Sequence, residues 1–272
     1  MAGALAEYLS VQGVAMTRTG PPILDLTGKV AVVTGGSRGI GRAVAAGFAE
    51  AGADVVIASR KLDHCVAVAS QIEEATSRRA LPVETNVSRW GDCDRLVDTV
   101  YREFGACHVL VNNAGMSPLY PDLASVTEAL YDKTHAVNAK GPFRLAALFG
   151  TRMNEGAGGS IINVSTAGSL RPDVGDLPYA MAKAALNAMT IGLAGAWAPR
   201  VRVNVVLPGA FDTDITKAWG PEAKQRAGVL NPMGRIGQPQ DLVALCVFLA
   251  SEASGYINGA QILADGGAYR SL

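Results

Sequence analysis

Tyr179 and Lys183 stand four residues apart, a spacing that puts both side chains on one face of a helix. A free phenol loses its proton near pH 10, and an ammonium beside it favours the phenolate, which brings proton exchange with a small-molecule oxygen into a usable range. Tyr179 is the candidate general acid and base. Ser165, at the end of the run Ile161-Ile162-Asn163-Val164, offers a hydroxyl to the same cleft, with Thr166 beside it as a rival. A second kind of chemistry is written in Thr34-Gly35-Gly36-Ser37-Arg38-Gly39-Ile40-Gly41, which joins an apolar run to a helical pattern. Glycines at such a junction let backbone N–H groups and the positive end of the helix dipole approach a pyrophosphate, and Gly41 permits close packing of helix on strand. A dinucleotide is the expected ligand; the alternative is a glycine-rich turn that binds nothing.

These residues need elements to hold them. Short apolar runs at 30–33, 55–58, 80–85, 108–111, 160–164, 202–206 and 261–263 alternate with longer amphipathic segments, without a break from Lys29 onward. Because the runs are continuously apolar and bounded by Gly, Asn and Pro, they read as strands of a parallel sheet covered on both faces by helices. The expected fold class is α/β, a doubly wound Rossmann-type sheet of seven parallel strands in one domain over 27–272, preceded by an N-terminal extension over 1–26. In such sheets ligands bind beyond the carboxyl ends of the strands, which is where the motifs fall.

Further segments turn this pattern into a family resemblance. Asn112-Asn113-Ala114-Gly115 follows the fourth expected strand, Tyr179-Ala180-Met181-Ala182-Lys183 opens a helix after the fifth, and Pro208-Gly209 follows the sixth. With the G-x-x-x-G-x-G spacing of the glycine loop, and in this order, they resemble the short-chain dehydrogenase/reductase family from about Leu24 to the C-terminus. The resemblance implies a tetrad of Asn138, Ser165, Tyr179 and Lys183. Ser165 would orient and polarise a carbonyl. Lys183 would also bind the nicotinamide ribose, and Asn138, in Val137-Asn138-Ala139-Lys140-Gly141, would hold a water in a proton relay ending at the lysine. It further implies cofactor contacts from Gly35, Ser37, Arg38, Gly39, Ile40, Gly41, Asn113, Ala114, Gly115, Pro208, Gly209 and Thr213.

Two positions depart from the commoner pattern. An acid ending the second strand would bind the ribose 2′-hydroxyl of NAD, but here stand Ser59 and Arg60. Ser59 can hydrogen-bond a 2′-phosphate, and Arg60 with Arg38 can clamp its charge, so NADP(H) is favoured; if Arg60 is only a solvated surface charge, NAD(H) is accepted too. After the third strand the family places an aspartate for the adenine amino group, and here stand Asn86 and Val87; an asparagine carbonyl could still accept that bond.

Composition removes other classes. The chain carries 24 basic and 24 acidic side chains among 272 residues, so no basic field gathers nucleic acid or an anionic membrane surface. The most apolar stretch, 184–198, falls short of the roughly 20 residues of a membrane span, and the start lacks the pattern of a secretory signal, so a cytoplasmic location is expected. The tail Arg270-Ser271-Leu272 matches the peroxisomal S-K-L address only loosely. Cys65, Cys93, Cys107 and Cys246 have no C-x-x-C spacing, and His64, His108 and His135 share no ligand spacing with them, so no metal is assigned. Charged residues at 18%, below the roughly 25% of an average domain, and an apolar helix after Tyr179 point to buried subunit contacts and a homo-oligomer, a tetramer by resemblance. Residues 214–232, broken by Gly220-Pro221, suit either a lid over the substrate or an ordinary surface helix. The expected activity is NADP(H)-dependent interconversion of a small-molecule ketone, aldehyde or 3-oxoacyl group with an alcohol. An NAD-dependent alcohol dehydrogenase, an enoyl reductase and a non-catalytic dinucleotide sensor are the alternatives.

Overall fold

The computed structural model describes residues 24–217 and 219–269; the tail Arg270-Ser271-Leu272 and most of the 1–26 extension lie outside the described residues. Seven strands form one parallel sheet: β1 (Val30–Thr34), β2 (Asp54–Ser59), β3 (Ala80–Glu84), β4 (Val109–Asn112), β5 (Gly159–Val164), β6 (Val201–Pro208) and β7 (Gln261–Ala264). Their order across the sheet is β3-β2-β1-β4-β5-β6-β7, and every pairing is parallel. The chain builds outward from β1 to β3, then crosses back and builds outward again from β4, so the crevice between β1 and β4 is the switch point where a ligand settles in such sheets. All seven expected strands are present, with ends within two residues of the sequence reading.

Continuous apolar strands arise because both faces are buried. Ala31 and Val33 of β1 with Val55 and Ile57 of β2 face one core, while Val30, Val32, Val56 and Ala58 face the other. The first core is closed by α1 (Gly39–Glu50), α2 (Leu62–Thr76) and, near the C-terminus, α9 (Val243–Ala250), through Phe48, Ile72 and Leu249. The second is closed by α3 (Trp90–Phe104) and α5 (Gly141–Glu155), through Leu96, Phe149 and Met153, with α6 (Leu177–Ala196) beside them. Burying each such side chain contributes about 1.5–3 kcal/mol, which makes the sheet a rigid platform for what its strand ends carry. Pro82 is tolerated in β3 because that strand lies at the sheet edge, where a missing N–H breaks no inner ladder.

Two features position the site. The helix α4 (Glu128–His135) runs into α5 through a π turn, Ala136–Lys140, which contains the buried Asn138; single π turns inside helices recur at functional sites. After β6, the short helices α7 (Asp214–Lys217) and α8 (Pro221–Leu230) occupy the segment read as a lid or surface helix. None of the described residues of α8 is buried, and Val229 and Leu230 are largely exposed.

Candidate active site

A cavity of about 970 Å³ runs along the carboxyl ends of β1, β2, β4, β5 and β6. Its walls contain all the sequence-selected residues except Gly41 and Asn138, which stand behind them. At the β1 end, Gly35 has φ +65°, a left-handed conformation that favours glycine. A Cβ on Gly41 would lie 2.4 Å from both Asn113 Nδ2 and Gly35 O, so the helix can begin this close to the strand end only without a side chain there. Thr34, absent from the expected site, fastens the two loops together. Its hydroxyl donates to Val111 O at 3.1 Å and accepts from the N–H groups of Asn113 (3.0 Å) and Ala114 (3.1 Å). The Asn113 side chain is likewise turned inward, donating to Thr34 O at 2.8 Å. It holds the glycine loop, leaving Ala114 and Gly115 to face the cavity beside it. The sequence signal for Thr34 was its place as the last residue of a wholly buried strand.

At the end of β2 the Ser37 and Ser59 hydroxyls meet at 2.9 Å, and Arg60 stands exposed at the cavity mouth. A Ser-Ser pair with a neighbouring guanidinium fits a phosphate on the ribose, and no carboxylate of β2 opposes it. Arg38, expected to join that clamp, makes an ion pair with Asp214 of α7 at 3.0 Å. Asn86 also differs from its expected role. Its carbonyl oxygen accepts from Ser88 N (3.2 Å) and Ser88 Oγ (2.8 Å), so both lone pairs are already used within the turn and none is left for an adenine amino group. Val87 follows as a buried wall residue. At the opposite end of the cavity lie Pro208, Gly209 and Thr213, the last held by Thr216, whose hydroxyl accepts from Thr213 N at 3.0 Å. The cavity over the glycine loop, the helix start without a side-chain cap and the serine pair together fit a dinucleotide.

The chemistry gathers where β5 meets α6. Tyr179 and Lys183 share one face of α6, with Lys183 Nζ 5.9 Å from the Tyr179 ring centre. Lys183 is 2% exposed and donates to Val164 O at 2.7 Å. Burial brings its ammonium down to about pKa 7. Burial, and secondarily the Asp176 carboxylate, push the Tyr179 phenol above its ordinary value, while a hydrogen bond with the Thr166 side chain acts in the opposite direction. Desolvation of both groups therefore outweighs the ammonium-to-phenol assistance read from the four-residue spacing: Lys183 is aimed at a backbone carbonyl, not at the phenol oxygen.

The two rival hydroxyls are separated by their surroundings. Ser165 Oγ is buried and points to the main-chain oxygen of Lys183 (3.2 Å) and to Ser169 Oγ (3.4 Å). Thr166, next along the chain, caps the 3₁₀ turn Ala167–Ser169 by accepting from Gly168 N at 3.2 Å, and its side chain is the one that meets Tyr179. Extended backbone turns neighbouring side chains to opposite sides, so only one of the pair faces the phenol. Asn138 is wholly buried, and its side chain donates to Met116 O (2.8 Å) and Thr134 O (2.9 Å) and accepts from Met116 N (3.2 Å). It thus ties the π turn to the loop after Gly115, with both side-chain donors used and one of the two lone pairs of its Oδ1 engaged.

Among the described residues no group of three His, Cys, Asp or Glu could hold a metal, and no helix is long and apolar enough to cross a membrane. The four cysteines are buried and free. His108 accepts from Val30 N at 3.0 Å at the end of the sheet remote from the cavity.

The fold and the site define a dinucleotide-dependent oxidoreductase of the doubly wound α/β class. Comparison with known proteins narrows it further. A family model described as enoyl-(acyl carrier protein) reductase matches residues 35–269. The chain is 34% identical over 245 residues to an NAD-dependent glycerol dehydrogenase of Listeria innocua, covering 89% of this chain and 94% of that one. It is 37% identical over 251 residues to a short-chain type dehydrogenase/reductase of Picea abies, covering 89% and 93%. A crystal structure of a gluconate 5-dehydrogenase from Burkholderia cenocepacia J2315, in complex with NADP and tartrate, superposes with a TM-score of 0.87 at 30% identity, covering 92% of this chain and 98% of that one. The chain belongs to the short-chain dehydrogenase/reductase family and is an NAD(P)-dependent oxidoreductase acting on CH–OH and carbonyl groups.

Proposed function

We propose that the protein is an NADP(H)-dependent oxidoreductase that interconverts a ketone, aldehyde or 3-oxoacyl group with the corresponding alcohol. The observation that carries this reading is the meeting of the Tyr179 phenol and the Thr166 side chain above the buried Lys183, in a cavity whose far end carries the Ser37–Ser59 pair. When bound, the dinucleotide supplies or takes up the hydride. Tyr179 gives its proton to the substrate oxygen in reduction and removes it in oxidation. Thr166, in place of Ser165, holds that oxygen against the phenol with its hydroxyl. Lys183, a buried and partly protonated amine near pKa 7 that donates to Val164 O, lies against the Tyr179 ring and sets the charge around the phenol. Asn138 positions the loop from Gly115 to Met116 that walls the site. Ser37, Ser59 and Arg60 favour NADP(H). The Arg38–Asp214 ion pair, which withholds one guanidinium from a phosphate, favours the second reading of an NAD-dependent alcohol dehydrogenase. The exposed Met181 and Ile191 of α6, with Phe143 of α5 and Trp90 of α3, support a homo-oligomer, a tetramer on the family pattern.

Fluorescence titration of the protein with NADPH and NADH, beside Arg60→Ala, tests the cofactor assignment. NADPH is expected to bind more tightly, and the substitution to weaken it by about tenfold, the worth of one charge-assisted hydrogen bond, while NADH changes little. Tighter NADH binding selects the second reading, and failure to bind either overturns the oxidoreductase reading as a whole.

A further inference from the structure

Behind the wall of the active site runs a line of hydrogen bonds that the chemistry above does not use. Asn187 stands one helical turn beyond Lys183 on α6 and is buried. Its Nδ2 donates to Ser169 Oγ at 2.8 Å, and the Ser169 hydroxyl in turn donates to Thr166 O at 2.6 Å. Neither Asn187 nor Ser169 lines the cavity, whereas Thr166, Ala167 and Gly168 do. The pair therefore reaches the site only through the turn that carries Thr166.

Proton counting fixes the direction of this line. A serine hydroxyl has one proton, and the short bond to Thr166 O consumes that of Ser169. Ser169 Oγ can then only accept, so its partner on Asn187 is the amide nitrogen. Ser165 Oγ also points to it, at 3.4 Å, but has a closer acceptor in Lys183 O at 3.2 Å. The bonds inside the turn, Ser169 N to Thr166 O (3.1 Å) and Gly168 N to Thr166 Oγ1 (3.2 Å), shape it without fixing where it sits over α6. The Asn187 amide supplies that anchor. Its own Oδ1 is buried without a donor, a cost in stability that an apolar side chain would not carry, so fold stability alone does not account for an asparagine here.

From this geometry we infer that Asn187 and Ser169 are positioning residues for the reaction: through the Thr166 carbonyl they hold the Thr166 hydroxyl in register with the Tyr179 phenol, without touching substrate or dinucleotide. Tyr179 and Asn187 lie eight residues apart on one helix, so α6 anchors the very turn whose hydroxyl meets its own tyrosine. A hydroxyl that must point at one oxygen loses its effect when its backbone shifts by a fraction of an ångström, because hydrogen bonds weaken steeply with angle. This inference rests on the role given to Thr166 above.

The test is a double-mutant cycle on the full-length protein, reading reduction of cyclohexanone, benzaldehyde and ethyl 3-oxobutanoate with NADPH and NADH. Asn187→Leu removes the donor, and Ser169→Ala cuts the line one bond further on. Each is expected to lower kcat about tenfold, the worth of one hydrogen bond, while KM and the dinucleotide Kd stay within about twofold. In a Thr166→Ala background the same substitutions should change kcat by less than about twofold, because the hydroxyl they position is gone. Equal losses in both backgrounds, a rise in KM in place of a fall in kcat, or no loss in either single variant overturns the positioning role and leaves the oxidoreductase reading intact. Loss of the thermal unfolding transition in both single variants also overturns it, since the pair is then structural. Undiminished kcat in Thr166→Ala alone overturns the Thr166 assignment, and absence of turnover of all three carbonyls by the wild-type protein overturns the carbonyl reading; the positioning role falls with either.

Discussion

Replacing Lys183 by Met should stabilise the cofactor-free protein while abolishing its activity, and the size of the effect follows from burial. Burial holds the Lys183 amine, 2% exposed, down at about pKa 7 in the fold, against 10.5 for an ordinary lysine. A lowered lysine pKa means that the unfolded chain binds more protons than the native one between those two values. Stability therefore rises with pH across that window, and the destabilisation is complete below pH 7. Three and a half units at about 1.4 kcal/mol each give about 5 kcal/mol at pH 6, falling to about 3 at pH 8 and about 1 at pH 10. Met fills similar volume without a charge, but leaves Val164 O without its donor, a loss of about 1–3 kcal/mol at every pH. The net gain at pH 6 is then about 2–4 kcal/mol, or roughly 5–10 °C in Tm for a domain of this size. Urea unfolding of both proteins at pH 6, 8 and 10, at one fixed protomer concentration, reads it directly. The decisive quantity is the change in the difference between pH 6 and pH 10, about 4 kcal/mol, from which the lost hydrogen bond cancels. A Met variant less stable than wild type at pH 6, or a difference that does not move with pH, refutes the idea that Lys183 is held against its own solvation for the sake of the site.

Other substitutions separate the roles the geometry assigns. Thr166→Ala should lower kcat about 100-fold with Thr166→Ser largely restoring it, whereas Ser165→Ala should lower kcat far less and reduce stability by about 1–3 kcal/mol in thermal unfolding; the reverse ranking returns the carbonyl-orienting role to Ser165. Gly41→Ala forces a Cβ to within 2.4 Å of Asn113 Nδ2 and Gly35 O, so it should weaken dinucleotide binding by at least tenfold in a fluorescence titration and destabilise the fold by about 1–3 kcal/mol.

Much of this protein was legible along the chain. The uninterrupted apolar runs of β1 and β2 could only belong to a sheet buried on both faces, and the turns that follow β1, β4 and β6 carry their glycine, asparagine and proline in a fixed order. Local periodicity and turn chemistry depend on neighbours within a few residues, so the sequence contains them. Tyr179 and Lys183 were equally readable, because helical spacing alone places them together.

What could not be read is what depends on contacts between distant segments. Ser165 and Thr166 are adjacent in sequence and chemically alike, and only the packing of the β5 end against α6 decides that the first bonds to Lys183 O and the second faces Tyr179. Arg38 looked free for a phosphate until α7, about 175 residues later, brought Asp214 to it. Asn86 was expected to keep an acceptor that its own turn consumes. The sequence by itself determined the sheet, the dinucleotide loop and the tyrosine–lysine pair, because short-range sterics and periodicity specify them. Which hydroxyl faces the phenol and how burial shifts Tyr179 and Lys183 were decided by the tertiary structure alone, since desolvation and hydrogen-bond pairing exist only once remote segments have closed around them.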